Sequence, residues 1–226
     1  MPCQSKPQES KGFPARAGAD FAFSAIARER CALRLEGKEA DMEAIDMLMQ
    51  EHRLIERALD AMEGWLATLG PESESDDKAE LARFVSFIRG FADAYHHGKE
   101  EDILFVAMVE HGFPREAGPI AVMLHEHDQG RSLVRVLDGL AQQSATWSEE
   151  DHGSLVRTVQ KFSSLLRLHI QKEDQILYPM ADARLPDPAK EEMYRKFQAF
   201  EEQQTSSGEQ ARLRTLADAL VEAHLP

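Results

Sequence analysis

Thiols, positive charge and long apolar runs are all scarce in this chain of 226 residues. The two cysteines, Cys3 and Cys31, both fall in the N-terminal segment. Neither a disulfide framework nor a zinc site of the CxxC type is therefore expected. Lysine and arginine total 26 against 40 aspartates and glutamates, a formal net charge of −14. That balance argues against nucleic-acid partners, because affinity for a phosphate backbone needs clustered basic residues. No stretch approaches the roughly 20 apolar residues of a membrane helix, and the opening MPCQSKPQESKGFPARAG lacks the apolar run of a secretory signal. A cytoplasmic protein without membrane association is the expectation. With 42% hydrophobic and 29% charged residues, the composition is globular, and the length suffices to bury a core without covalent staples.

Strand-type alternation is also missing; what the chain offers instead is helical periodicity. Residues 1–40, rich in Pro, Gly, Ser and charge at their start, read as a poorly ordered arm with at most one short helix. From Asp41 the apolar positions Ile45, Leu48, Met49, Ile55, Leu59 and Met62 fall on one stripe, and Gly70-Pro71 ends the helix. A second helix carries Leu81, Phe84, Phe87, Ile88 and Phe91 to about Val109, stopped by His111-Gly112-Phe113-Pro114. A third covers roughly 115–143. A fourth opens on a capping-box-like Ser148 and carries Leu155, Val159, Phe162, Leu165 and Leu166, with Pro179 marking a kink or an end. Asp187-Pro188 reads as the start of a fifth helix, and TSSGE separates it from a short last one. The fold class is all-α: an up-down-up-down four-helix bundle over 41–184, with an N-terminal arm (1–40) and a C-terminal helical extension (185–226) packed outside it.

Nine histidines remain, and four are placed oddly. Histidine should avoid the apolar face of a bundle helix unless something there satisfies it. Yet His52, His97, His127 and His169 each sit in the stripe of a different core helix. Two have a glutamate one turn on, His97 with Glu101 and His169 with Glu173, so that imidazole and carboxylate project from one face. A lone histidine on such a stripe is ordinarily a satisfied structural residue. Four on four helices, two with buried carboxylates, instead point to positive charge held between them. Imidazole plus carboxylate without thiolate suits iron or manganese, and also zinc; two glutamates suggest a dinuclear site. His96 can swing toward Glu100 on a neighbouring stripe with Val85, Ile88, Ala92 and Ile103, as a further ligand or as a residue behind one. His125 lies about 200° from His127 around the helix and reads as exposed or peripheral, while His111, His152 and His224 read as bystanders.

The segments LMQEHRLIERAL, YHHGKEEDILF, MLHEHDQGRSLV and LLRLHIQKEDQILYP carry this pattern in order over about residues 46–180. In that combination the chain resembles the hemerythrin-like family, the HHE cation-binding domain. The resemblance implies a four-helix bundle holding a non-haem di-iron centre, two iron ions ligated by His52, His97, Glu101, His127, His169 and Glu173 with the glutamates bridging. Its known members bind dioxygen, sense oxygen, redox state or iron, or handle peroxide and nitric oxide. The oxygen carriers place two histidines four apart on the third helix, whereas here the positions four from His127 are Met123 and Arg131. That leaves an open coordination position or a substitute such as His96 or Tyr95, and weakens a reading as a simple carrier. The leading expectation is a di-iron protein that binds or responds to dioxygen or a related small oxidant. Apolar walls from Phe87, Phe91, Leu104, Phe105, Phe162 and Leu166 would exclude water there. The alternatives are an enzyme decomposing peroxide or nitric oxide, and a metal- or oxygen-responsive module acting through the C-terminal helices.

Overall fold

The computed structural model describes residues 20–70 and 75–225, with side chains over 44–70 and 76–225. Every described element is helical, and we number them α1 to α6. α1 spans Asp20–Thr68. α2 covers 75–110, beginning as the α-helix Ser75–Phe87, passing through π-helical turns at Ile88–His97 and Glu100–Leu104, and ending as Phe105–Glu110. α3 is Gly118–Ala141. α4 covers 149–184, with the π-helical turn Glu173–Leu177 between Glu149–Lys172 and Tyr178–Arg184. α5 is Asp187–Ser207 and α6 is Glu209–His224.

Local chemistry accounts for most of these boundaries. α2 ends at His111 and Gly112, the latter at φ +90°, which glycine adopts without cost. Ser148 accepts from the Asp151 backbone N–H while the Asp151 carboxylate accepts from the Ser148 N–H, closing the expected capping box at the start of α4. Pro179 neither ends nor breaks α4. A π-helical turn directly before it absorbs the missing N–H, and the helix continues to Arg184. The cap of α5 falls at Pro186, one residue before the expected Asp187. Gly208, at φ +73°, separates α5 from α6. The expected first helix is longer than its apolar stripe: no proline occurs between Asp20 and Thr68, and the helix reaches back to Asp20. Residues 1–19 of the expected arm lie outside the described residues.

α1 packs on α4, α5 and α6, and α3 on α2 and α4. Two apolar clusters result. One gathers Ile55, Leu59, Phe84, Phe87, Phe91, Leu137, Leu155 and Phe162, and α6 adds Leu213, Ala217 and Leu220 to it. The other gathers Leu48, Leu104, Phe105, Met108, Ile120, Met123 and Leu177, and α5 adds Met193 and Phe197. The C-terminal helices lie outside the four-helix bundle as expected, yet they complete both clusters. Each large side chain they bury contributes about 1.5–3 kcal/mol. Among the described residues no helix is long and apolar enough to cross a membrane.

Candidate metal centre

Between the two clusters, at one level of the bundle, lie the buried polar residues Glu51, His52, His96, His97, Lys99, Glu100, His127, His169 and Glu173. Two groups of donors converge there, His97, Glu100, His127 and His169 in one and His52, His96, Glu100 and Glu173 in the other, each with its donor atoms within 4.8 Å of one another. Glu100 belongs to both. Glu173 also spans them: its Oε1 lies 3.1 Å from His169 Nε2 and 4.0 Å from His127 Nε2, and its Oε2 lies 3.3 Å from His52 Nε2.

Of the six residues expected at the site, His52, His97, His127, His169 and Glu173 meet there, but Glu101 does not. Its place is taken by Glu100, which is fully buried, with Oε2 3.8 Å from His96 Nε2 and 3.6 Å from His127 Nε2. The cause is the π-helical winding of α2. Five-residue turns rotate the chain by less than the 100° per residue assumed for an α-helix. His96 and His97, adjacent in sequence, thus both face inward, followed by Glu100, whereas Glu101 turns toward α3. Tyr95 is no substitute donor here, since its hydroxyl accepts from Gln210 Nε2 on α6. The helical pattern does not single out Tyr178. It stacks parallel to His52 at 5.5 Å between ring centres and donates to Glu100 Oε1 at 2.8 Å.

Behind the donors, each imidazole faces an acid through Nδ1. The pairs are His52 with Asp174 at 2.7 Å, His96 with Glu51 at 2.9 Å, His127 with Glu101 at 2.7 Å, and His169 with Glu126 at 3.0 Å. His97 Nδ1 approaches Asp93 at 3.4 Å. A cation closes each pair on its far side: Arg53 on Asp174, Lys99 on Glu51, Arg131 on both Glu101 and Asp93, Lys172 on Glu126. A carboxylate at Nδ1 assigns the proton to that nitrogen and leaves the Nε2 lone pair facing the interior, the usual outer support of a metal-ligating histidine.

Without a cation this interior is unsatisfied. His96 Nε2, Glu100 Oε2 and both Glu173 carboxylate oxygens are buried without a well-formed hydrogen bond. His127 Nε2 and His169 Nε2 stand 3.1 Å apart, lone pair toward lone pair if each Nδ1 keeps its proton. The electrostatics agree. Burial, together with the charge of Glu173, holds Glu100 well above the carboxylate range. Burial would also raise Glu173, but His169 and His52 outweigh it and hold that group well below. For His169, burial opposes the charged form, yet Glu173 and Glu126 push the pKa up to about 9. In the metal-free protein, then, Glu100 keeps its proton and a protonated His169 offsets the ionised Glu173, and metal binding would displace those protons. Five imidazoles and two carboxylates without thiolate form a donor set that fits iron or manganese, with zinc also accommodated.

A cavity of about 270 Å³ opens from this level to the surface between α2, α3 and α4. His97, His127 and His169 form its inner end, and Ala92, Val134, Phe162 and Leu166 are among its walls. Of the expected aromatic walls, Phe162 lines the cavity and Phe105 stacks on His127 at 6.1 Å, whereas Phe87 and Phe91 stack on each other deeper in the core. The remaining histidines lie apart. His125 and His111 are exposed, and His224 is a partly buried docking residue rather than a surface one, bonded to Glu80 at 2.6 Å.

Comparison with known proteins agrees with this arrangement. The chain is 35% identical over 94 residues to proteins named iron-sulfur cluster repair protein YtfE from Salmonella paratyphi B, Salmonella newport and Salmonella heidelberg. The match covers 38% of this chain and 40% of each relative's length. No solved structure matches it. Residues 43–181 match the profile of the Hemerythrin HHE cation binding domain. These residues take in part or all of each of the four bundle helices and every donor at their centre, and the chain belongs to the hemerythrin HHE cation-binding family.

Proposed function

We propose that the bundle holds a dinuclear non-haem iron centre that binds or responds to dioxygen or a related small oxidant. In this reading His52, His96 and Glu173 serve one ion, His97, His127 and His169 serve the other, and Glu100 and Glu173 bridge. The observation that carries it is the pair of buried donor groups sharing Glu100, with His96 Nε2, Glu100 Oε2 and both Glu173 oxygens left without a hydrogen-bond partner. A bound ferrous pair would supply electrons and a Lewis-acidic contact for an oxidant. The protein's own contribution is to exclude water with the two apolar clusters and to hold each imidazole in one orientation through its carboxylate. Among the metals that the donor set accommodates, iron is preferred because the relatives are named for work on iron-containing clusters.

Two further readings have specific support. Turnover of peroxide or nitric oxide is favoured by the cavity that ends on His97, His127 and His169. Iron–sulfur cluster repair rests on the printed name of relatives that share part of their length with this chain. Metal analysis of protein purified without chelator, followed by anaerobic ferrous loading and exposure to oxygen, tests the main proposal. Close to two iron ions per chain and visible charge-transfer absorption are expected. A colourless protein that retains zinc alone would overturn it. Loss of added peroxide at equal rates with intact protein and His97→Ala would remove the enzymatic reading, and failure to restore an oxidatively damaged iron–sulfur protein would remove repair.

A further inference from the structure

The cavity is far larger than a diatomic molecule or hydrogen peroxide requires. An apolar space of about 150 Å³ holds a benzene ring, and this one measures about 270 Å³. Its bareness is built in at Gly130, in mid-helix on α3, where glycine weakens a helix. A Cβ added there would meet only Phe162 Cε2, at an ordinary 3.8 Å, so no close approach of backbone explains the glycine. What the missing side chain leaves is room. Charges around the cavity are already matched: Arg89 with Asp138 at 3.0 Å, Arg131 with Asp93 at 2.8 Å, and Glu126 with Lys172. Arg135, the remaining cation of the lining, is exposed and donates to Ser132 Oγ at 3.4 Å.

We propose that this cavity is a binding site for an uncharged organic molecule of about ten heavy atoms, by the benzene comparison. Its apolar body would lie along Val134, Phe162 and Leu166, and its single oxygen-bearing end would face His97, His127 and His169. Along its walls Arg89, Arg131 and Glu126 are already paired and Arg135 is exposed, so a charged ligand finds no buried free partner beside Val134, Phe162 and Leu166, and desolvating an ion there would be costly. The orientation of the ligand rests on the metal-centre reading; occupancy of the cavity does not, and the two are separable by experiment.

The probe is 2-phenyl-2-propanol, an alcohol of the right size, with benzoate as its anionic counterpart. Both are titrated by ligand-observed NMR and calorimetry against the full chain, metal-free and iron-loaded. Binding of the alcohol to both forms is expected, tighter with metal, and in the metal-free form benzoate should bind more weakly. Gly130→Leu and Val134→Phe should each weaken alcohol binding by roughly tenfold or more while iron content stays at the wild-type level. Gly130→Leu also raises helix propensity, so misfolding is not its expected outcome. Absence of alcohol binding to the wild type, equal binding by both filled variants, or preference of the metal-free protein for benzoate overturns the proposal. If iron fails to bind while the alcohol still does and is lost in the variants, only the metal-centre reading falls.

Discussion

His127 Nδ1 meets Glu101 Oε1 at 2.7 Å, on the side of the imidazole turned away from the donor cluster. The carboxylate one helical turn beyond His97 thus supports a histidine of another helix instead of reaching the interior itself. Arg131 completes the contact, with Nη2 2.7 Å from the same oxygen and 2.8 Å from Asp93. At the position four after His127 this chain therefore has a cation that fixes two acids. Those acids face the Nδ1 atoms of His97 and His127. Burial would raise both, but the bonds to histidine and Arg131 hold Asp93 and Glu101 down at about 2. They remain ionised at neutral pH and act as fixed acceptors.

Glu100 and Glu101 should consequently separate in their effect on metal. Glu100→Gln removes the one carboxylate shared by both donor groups, and loss of about one iron per chain is expected, since a neutral amide cannot bridge two cations. Glu101→Gln keeps the shape but gives up the charge behind His127. Metal affinity should fall by about 10–100-fold with stoichiometry retained. Competition with a calibrated chelator measures both. Equal loss of stoichiometry in the two variants would mean that Glu101 is itself a ligand.

Gly64 offers a test of how α6 docks. A Cβ at that position would collide with the carbonyl oxygen of His224, a backbone atom that cannot rotate away. Gly64→Ala should therefore destabilise the protein by about 1–2 kcal/mol, overpacking outweighing the gain in helix propensity. The shift is read from the urea midpoint of the metal-free protein. An unchanged or raised midpoint would place the end of α6 elsewhere than against α1.

These examples mark what the amino-acid pattern discloses. The four helices, the caps at Ser148 and Gly112, and the inward histidines at 52, 97, 127 and 169 follow from apolar spacing and turn chemistry, which are local. Glu100 and Tyr178 do not. The first depends on π-helical turns, a departure from 3.6-residue winding that no residue at 88–104 announces; only the adjacency of His96 and His97, too close for one α-helical stripe, hinted at it. The second is an aromatic residue before a proline, at a point where a helix commonly stops. The carboxylates at 51, 93, 126 and 174 look like ordinary solvated acids in sequence. Their role is set by which helix faces them, and that is a tertiary fact.

Lys99 is fully buried and joins the bundle to its C-terminal helices. Its ammonium bonds Glu51 on α1, reaches Glu201 on α5 at 2.7 Å and sits 4.3 Å over the Tyr95 ring. Burial pushes Glu51 up to about 7 even against this neighbouring charge. Lys99→Met would strand Glu51 in the interior and take the ammonium from the partly exposed Glu201, and a loss of about 3–5 kcal/mol is expected. Adding Glu51→Gln should recover part of it, because the stranded charge is then gone. Chemical denaturation of the metal-free single and double variants checks both steps; a single variant as stable as wild type would show that the ammonium contributes nothing net.

The contact of α6 with α2 gives a pH dependence whose sign is fixed. Burial alone would raise the Glu80 carboxyl, but hydrogen bonds from His224 and Arg83 outweigh it and lower the group below its ordinary 4.5. A depressed native pKa means that the unfolded chain takes up a proton first as pH falls. The stabilisation is complete above the unfolded value, shrinks as pH drops below it, and is lost once the native carboxyl also protonates. Comparing wild type with Glu80→Gln by urea unfolding isolates this contribution from the other acids. The wild type should be the more stable at about pH 6–7, and the gap should close toward about pH 3. Because Glu80 and His224 are partly solvated, the gap should also narrow in high salt. A difference that stays constant across this range, or grows on acidification, would show that the carboxylate is not what fastens α6 to α2.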